Sequence, residues 1–220
     1  MVSVVAVVVD GANMTDLQQA FERNLERSRF FATQDKEVVA VSTGVDSMVL
    51  LDLLQHLSSK NRPQIIVAHM NHELRKQSQL EERFIRQYCK QNDLKLAVAH
   101  WPQTLHPQTG VENAARQARY HFFQEVMKDN QAKILLTAHH QNDLAETMLM
   151  KMTRGGQLSQ LVGIRDRRPF ASGTLIRPLL PFSKQQLKKY ALQHHLKWYE
   201  DKTNKDLNIQ RNRFRHAIIP

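Results

Sequence analysis

Ser42-Thr43-Gly44-Val45-Asp46-Ser47 decides the fold, because this polar turn joins two apolar runs of different kinds. Residues 38–41 precede it as a short β-branched run, which is typical of a buried parallel strand. Residues 48–57 follow it, rich in Leu and free of Gly and Pro, which predicts a helix. A polar turn between a strand and a helix directs backbone N–H groups and the helix N-terminus at an anion. We therefore interpret residues 42–47 as a candidate phosphate-binding loop.

Asp46 is the unexpected member of this loop, because a carboxylate repels phosphates unless a cation lies between them. Its presence predicts bound Mg²⁺. Gly44 would let the backbone approach a ligand closely, and the Ser and Thr hydroxyls add hydrogen-bond donors. An ordinary strand-to-helix turn is the alternative, since Ser and Asp are common helix caps.

Apolar runs of strand and helix type alternate beyond this loop. The alternation predicts an α/β fold, a doubly wound parallel sheet with helices on both faces. The predicted strands are residues 38–41, 65–68, 94–99 and 134–137, and the predicted helices are residues 46–58, 78–92, 111–128 and 141–153. After Gly156 we expect a smaller, mainly helical basic segment, with a short strand at 174–176 and a helix at 183–195.

The organisation along the chain predicts one main domain. Residues 1–13 differ from the rest and are expected to be a leader or an artificial addition. Residues 14–157 are expected to form the catalytic domain, and residues 158–220 its basic extension.

Charge and cysteine content limit the function further. The net charge of +10 favours a polyanionic partner, and from Arg165 onward thirteen Lys and Arg stand against four Asp and Glu. A solvated basic surface is the alternative. Cys89 is the only cysteine, which excludes an internal disulfide and any Cys-rich zinc or iron–sulfur site. No apolar stretch is long enough to span a membrane, so we expect a cytoplasmic protein.

Three polar clusters follow predicted strands, at residues 42–47, 69–75 and 139–147. Ligands of such sheets bind beyond the carboxyl ends of the strands, so we expect these clusters to share one cleft. Asp143 and Glu146 lie three apart on one helix face and are suited to Mg²⁺ or to an amine substrate, with His139 at the strand end beside them. Acids that complement a helix dipole are the alternative. For the histidines of residues 69–75, lining the cleft is favoured over binding zinc.

Arginines form two further candidate sites. Arg116 and Arg119 lie three apart on one helix face, where they could contact phosphates or simply cover the surface. Arg211, Arg213 and Arg215 flank Phe214, a pattern that suits RNA but also a solvated terminus.

Together these motifs resemble the N-type ATP pyrophosphatases, whose pyrophosphate loop is written Ser-Gly-Gly-x-Asp-Ser. Within that superfamily the chain is similar to the tRNA(Ile)-lysidine synthetase family, in the right order over about residues 35–220. Thr43 stands where the family has its first loop Gly, and Asn142 where it commonly has the first of two Asp. We expect Thr43 to permit the turn, and we assign the carboxylate role to Asp143. Family members commonly continue into C-terminal tRNA-binding domains, which are absent from this sequence, so we expect either a truncated form or an unusually short member of the family.

The resemblance implies an adenine nucleotide alpha hydrolase-like fold and a two-step ligation. ATP adenylates the C2 oxygen of cytidine-34 in tRNA(Ile) with a CAU anticodon, and L-lysine then displaces AMP, giving lysidine. The site residues implied are Ser42, Thr43, Gly44, Val45, Asp46, Ser47, His69 and Met70 for ATP; Asp46, His139, Asp143, Glu146, Arg116 and Arg119 for catalysis; Asp46 and Asp143 for Mg²⁺; and Arg154, Arg177, Arg211, Arg213 and Arg215 for tRNA.

Two other functions remain as alternatives. A 2-thiocytidine synthetase-like enzyme is expected to need a persulfide cysteine pair or a cluster, which one cysteine cannot supply. A non-catalytic nucleotide- or RNA-binding module would bind without releasing pyrophosphate, but binding alone rarely needs the three acids at positions 46, 143 and 146. The oligomeric state is left open, with a homodimer as one option.

Overall fold

The computed structural model describes residues 15–28, 35–59, 61–73, 77–153, 164–200 and 213–214. The helices and strands of these residues are, in chain order, α1 (Thr15–Ser28), β1 (Lys36–Ala40), α2 (Val45–Gln55), β2 (Gln64–Asn71), α3 (Ser78–Gln91), β3 (Lys95–His100), a 3₁₀ turn (Gln103–Leu105), α4 (Val111–Asp129), β4 (Ile134–Leu136), α5 (Gln141–Thr153), β5 (Arg167–Phe170), β6 (Gly173–Ile176) and α6 (Lys184–Gln193).

The strands form one sheet in the order β3-β2-β1-β4-β6-β5. All neighbours are parallel except β5, which pairs antiparallel with β6 at the edge. The predicted doubly wound parallel sheet is therefore confirmed. From β1 the chain builds outward through β2 to β3 and then returns to the other side of β1 as β4, so the order reverses between β1 and β4. In open α/β sheets the crevice at such a reversal is the usual ligand site.

Successive residues of the buried strands point to opposite sides of the sheet, so both of its faces are apolar. Helices cover both of these faces. On one face α1, α2, α3 and α6 pack around Val39 and Val67, and α2 is buried along nearly its whole length. On the other face α4 packs over Val38 and Leu135. Cys89 of α3 is buried in the first of these layers, and burial raises the pKa of its thiol to about 12.

The segment after residue 157 contributes more strand than expected. Both β5 and β6 belong to it, and they extend the main sheet. β5 was not predicted, because Arg167-Arg168-Pro169-Phe170 lacks apolar alternation, and proline is tolerated on an edge strand. Residues 1–13 lie outside the described part of the chain. None of the described helices is long and apolar enough to cross a membrane.

Glu37 in β1 is a charged residue type in a fully buried position. It lies on the same face of the strand as Val39, its exposure is 0%, and neither carboxylate oxygen has a hydrogen-bond partner. Burial, and then the charge of Asp35, raises the pKa of Glu37 to about 9. The carboxyl group is therefore protonated in the folded protein at neutral pH.

Glu37→Gln should stabilise the protein by an amount that grows as pH rises from 4.5 toward 9. The folded state holds a proton on Glu37 that the unfolded state releases above its pKa of 4.5, so stability from this group falls as pH rises toward 9. The wild type should lose about 3 kcal/mol from this group between pH 4.5 and neutrality, whereas the variant should not. Urea unfolding at several pH values measures the difference, with the exposed Glu112→Gln as the matched control. If the free energy of unfolding changed with pH in the same way for wild type and Glu37→Gln, Glu37 would not be neutral in the folded protein.

Candidate active site

The loop of residues 42–47 closes on itself through its two serines. Ser47 Oγ donates to the Gly44 carbonyl at 2.9 Å and accepts from the Ser42 backbone N–H at 3.2 Å. Helix α2 starts at once, since Met48 N–H donates to the same Gly44 carbonyl at 3.0 Å. This geometry places a helix N-terminus at the carboxyl end of β1, where an anion is stabilised by the helix dipole.

The unusual backbone conformation of the loop lies at Thr43 and not at Gly44. Thr43 has φ 66°, in the left-handed region, whereas Gly44 has φ −70°. A β-branched residue rarely adopts such a φ. The turn predicted with Thr43 therefore forms, but under strain, and the Thr43 carbonyl is held by the backbone N–H of Tyr199 at 2.9 Å. The Thr43 hydroxyl is buried without a hydrogen-bond partner.

Asp46 is the centre of charge in the crevice between β1 and β4. Both of its carboxylate oxygens accept from Lys184 Nζ at 2.7 Å, and His140 Nε2 lies 3.6 Å from Oδ2. Burial alone would raise the pKa of Asp46, but the contact with His140 and the charge of Lys184 outweigh it and lower the pKa. Asp46 is thus an anion at neutral pH and can bind a cation.

His140 connects Asp46 to the second acidic group of the site. Its Nε2 lies 3.5 Å from Asp143 Oδ2, and its backbone N–H donates to the same oxygen at 3.0 Å. Asp143 and Glu146 are both buried and lie on one face of α5, as their spacing predicted. His139, at the same strand end, contacts Thr137 Oγ1 through Nδ1 at 3.0 Å. The loops after β1 and β4 therefore do meet at one crevice.

Sequence reasoning missed His140, Lys184 and the role of Asn142. His140 had a weak local signal, because it adjoins the cluster that was singled out. Lys184 had none, since it lies far from Asp46 in the chain. It begins α6, whose N-terminus is capped by Ser183, and its backbone N–H donates to Asn142 Oδ1 at 2.9 Å. Asn142 thus holds α6 at the crevice.

A second contact fixes α6 beside α2. Tyr190 OH donates to Asp52 Oδ2 at 2.8 Å, deep in the core. Asp52 lies six residues after Asp46, and Tyr190 lies six residues after Lys184. The two helices therefore run parallel, linked by polar contacts at the same step along each. Sliding α6 by one turn, about 5.4 Å, would carry Lys184 away from Asp46.

The remaining predicted site residues lie in different environments. His69 is buried, its Nδ1 contacts the Val41 carbonyl at 2.8 Å, and burial lowers its pKa. The other placements are: Met70 half-buried, Arg116 exposed, Arg119 half-buried, Arg177 buried, Arg213 exposed, and Arg154, Arg211 and Arg215 outside the described residues.

The acidic groups of the crevice fit a magnesium ion that also binds phosphates. No cluster of three or more His, Cys, Asp or Glu side chains able to hold a metal occurs within the described ranges. Mg²⁺ does not need one, because it commonly takes one or two carboxylates together with substrate phosphates and water. The ammonium of Lys184, bound by both oxygens of Asp46, demonstrates that this carboxylate accepts a cation from the crevice.

Thr43→Gly should raise the free energy of unfolding by about 1 kcal/mol, because glycine adopts a positive φ without strain. It also removes a buried hydroxyl that has no partner. Thr43→Val is the matched control, since it removes the hydroxyl and keeps the branched Cβ, and it should gain less. Denaturant unfolding of both variants measures the effect. A clear loss of stability in Thr43→Gly would show that the positive φ of Thr43 does not strain the backbone.

Two curated proteins are similar to this chain over most of its length. The tRNA(Ile)-lysidine synthase of Lactiplantibacillus plantarum is 54% identical over 207 residues, which are 94% of this chain and 46% of that protein. The Enterococcus faecalis protein of the same name is 43% identical over 202 residues, or 92% of this chain and 43% of that protein. The chain thus spans just under half the length of these relatives.

A solved structure shares the fold at low sequence identity. The U34-tRNA thiolase NcsA from Methanococcus maripaludis superposes with a TM-score of 0.68 at 15% identity, over 83% of this chain and 64% of that chain. The family model described as the PP-loop domain matches residues 13–220, nearly the whole chain. With its loop of residues 42–47 at the reversal point of the sheet, the chain belongs to the PP-loop domain family.

Proposed function

We propose that this chain carries the ATP-dependent step of lysidine formation, in which L-lysine is joined to C2 of cytidine-34 in tRNA(Ile) with a CAU anticodon. The observation that carries the proposal is the meeting of Asp46, His140 and Asp143 at the crevice beside the loop of residues 42–47. The name shared by the relatives supports this choice of substrates.

The loop of residues 42–47 would bind the pyrophosphate part of ATP, through backbone N–H groups, its hydroxyls and the N-terminus of α2. Lys184 would release Asp46 and pair with phosphate, because a polyphosphate carries more negative charge than one carboxylate. His69 and Met70, at the end of β2, would border the nucleotide.

Mg²⁺, held by Asp46 with Asp143 nearby, would neutralise the leaving pyrophosphate. The chain's own groups would then act on the base and on lysine. His139 and the arginines of α4, Arg116 and Arg119, would stabilise the adenylated cytidine, and Glu146 would hold the ammonium of lysine in the buried part of the crevice. Arg154, Arg177, Arg211, Arg213 and Arg215 remain candidates for binding the tRNA.

Release of AMP and pyrophosphate tests the proposal directly. With unmodified tRNA(Ile), AMP release should require lysine and should disappear when cytidine-34 is replaced by uridine. AMP release without lysine would indicate that the chain catalyses another PP-loop reaction. ATP binding without any turnover would support the alternative of a non-catalytic module.

Asp46→Asn should abolish this activity, reducing AMP release by about 100-fold or more, because the amide cannot hold a cation beside the phosphates. The exposed Asp129→Asn makes the same chemical change away from the crevice and should leave activity unchanged. Melting temperatures of both variants check that the fold is intact. Substantial AMP formation by Asp46→Asn would remove the metal role from this residue.

Gly44→Ala should weaken ATP binding about tenfold while leaving the fold stable. Its φ of −70° suits alanine, and an added Cβ would meet only Ser42 Oγ, at an ordinary 3.5 Å. Any loss of affinity would therefore come from a phosphate that approaches the Gly44 backbone closely. Titration with ATP measures the effect, and an unchanged affinity would show that this backbone does not contact the nucleotide.

A further inference from the structure

Arginines and aromatic rings gather on the face of the sheet covered by α4, beside the crevice. We call this group the arginine–aromatic patch; it consists of Arg116, Arg119, Tyr120, Arg168, Phe170 and Arg177. Two guanidinium groups lie over one ring, since the Cζ atoms of Arg116 and Arg168 are 4.8 and 5.5 Å from the Tyr120 centroid. Arg168 also lies 5.6 Å from the Phe170 centroid. Tyr120 and Phe170 contact each other edge to face at 5.5 Å.

The positive charge of the patch is offset only in part, by Glu112 near Arg119 and by Asp166 near Arg177. Among the described residues, no carboxylate forms an ion pair with its four arginines. Within the described ranges, the side-chain hydrogen bonds of Arg168 and Arg177 go to backbone carbonyls, those of Pro169 at 3.3 Å and Arg165 at 2.6 Å. Like charges held this close repel one another, so a bound anion would relieve the repulsion.

Two of the arginines are desolvated as well. Burial, and then the charge of Arg116, lowers the pKa of Arg119, while burial and the charges of Arg168 and Arg116 lower that of Arg177. Arg177 is only 6% exposed, and its Nε has no hydrogen-bond partner. A buried guanidinium with unused donors is costly unless it serves a ligand or a neighbouring site.

The patch adjoins the candidate active site. Arg177 directly follows β6, whose last residue, Ile176, accepts a hydrogen bond from the backbone N–H of Thr137 at 3.1 Å. Thr137 in turn contacts His139 at the crevice. On the other side, Arg168 lies on β5, the edge strand, so the patch extends from the crevice toward the rim of the sheet.

We propose that the arginine–aromatic patch binds the ribose–phosphate backbone of the RNA whose base enters the crevice. Guanidinium groups pair with phosphates in a planar, two-donor geometry. The inference rests on the proposed function, because it takes the RNA as the substrate.

Arg168→Gln tests the patch, and Arg167→Gln is its matched control. The two arginines are neighbours on β5, but they point to opposite faces, and Arg167 already contacts Asp166 and donates to the Ser28 carbonyl at 2.8 Å. Each variant removes one charge. The readout is the dissociation constant of the whole chain for an anticodon stem-loop RNA with a CAU loop, measured by fluorescence anisotropy over a range of salt.

Arg168→Gln should weaken RNA binding about fivefold and reduce the slope of log affinity against log salt by about 0.7 to 0.9, the effect of one lost phosphate contact. Arg167→Gln should leave both unchanged, and Arg168→Lys should restore the salt slope because it keeps the charge. Melting temperatures check the fold of all three variants. If the wild type binds the RNA and the two variants Arg168→Gln and Arg167→Gln bind it equally well, the proposed contact of the patch with RNA is wrong, while the proposed function stands. A wild type that binds no RNA would overturn both the patch and the proposed RNA substrate.

Discussion

The ion pair between Asp46 and Lys184 is the interaction on which the site depends. A carboxylate in this crevice stays ionised because His140 and Lys184 face it, and Lys184 is the closer of the two at 2.7 Å. The pair joins the two ends of the fold: Asp46 follows the first strand, and Lys184 begins the last described helix. Because Tyr190 and Asp52 repeat the link deeper in the core, α6 can hardly move along α2 without losing both contacts. The same packing that stabilises the core therefore positions the charges of the crevice.

Acidic and basic side chains form two separate surfaces near the carboxyl ends of the strands. The crevice between β1 and β4 contains the acids Asp46 and Asp143, whereas the arginines of the patch beside it form no ion pair with an acid among the described residues. An acidic crevice suits cations such as Mg²⁺ and an ammonium group, and a basic patch suits phosphates. The proposed reaction brings together ATP, an amine and a nucleic acid, and it therefore needs both surfaces close together.

Much of this arrangement could be predicted from local sequence. The loop of residues 42–47, the parallel strands and the shared face of Asp143 and Glu146 follow from short-range patterns, because each is set by neighbours a few residues away. Lys184 could not be found in this way, since its role arises only when α6 packs on α2. β5 could not be predicted because an edge strand does not need an apolar pattern. The first residues of β1 could not be predicted because the buried Glu37 interrupts the apolar pattern of that strand. The strain at Thr43 also depends on tertiary structure, through the hydrogen bond from Tyr199.

The buried thiol of Cys89 can be used to measure local unfolding of the core around α3. The thiol is 2% exposed in the described structure, and burial raises its pKa to about 12, so it is almost entirely protonated while the protein is folded. Alkylating reagents attack the thiolate, and they reach it only when α3 separates from the sheet. Since this is the sole cysteine of the chain, the rate of labelling at one atom reads the free energy of that opening. The layer beneath α2 and α3 can thus be followed in the native state without introducing any probe.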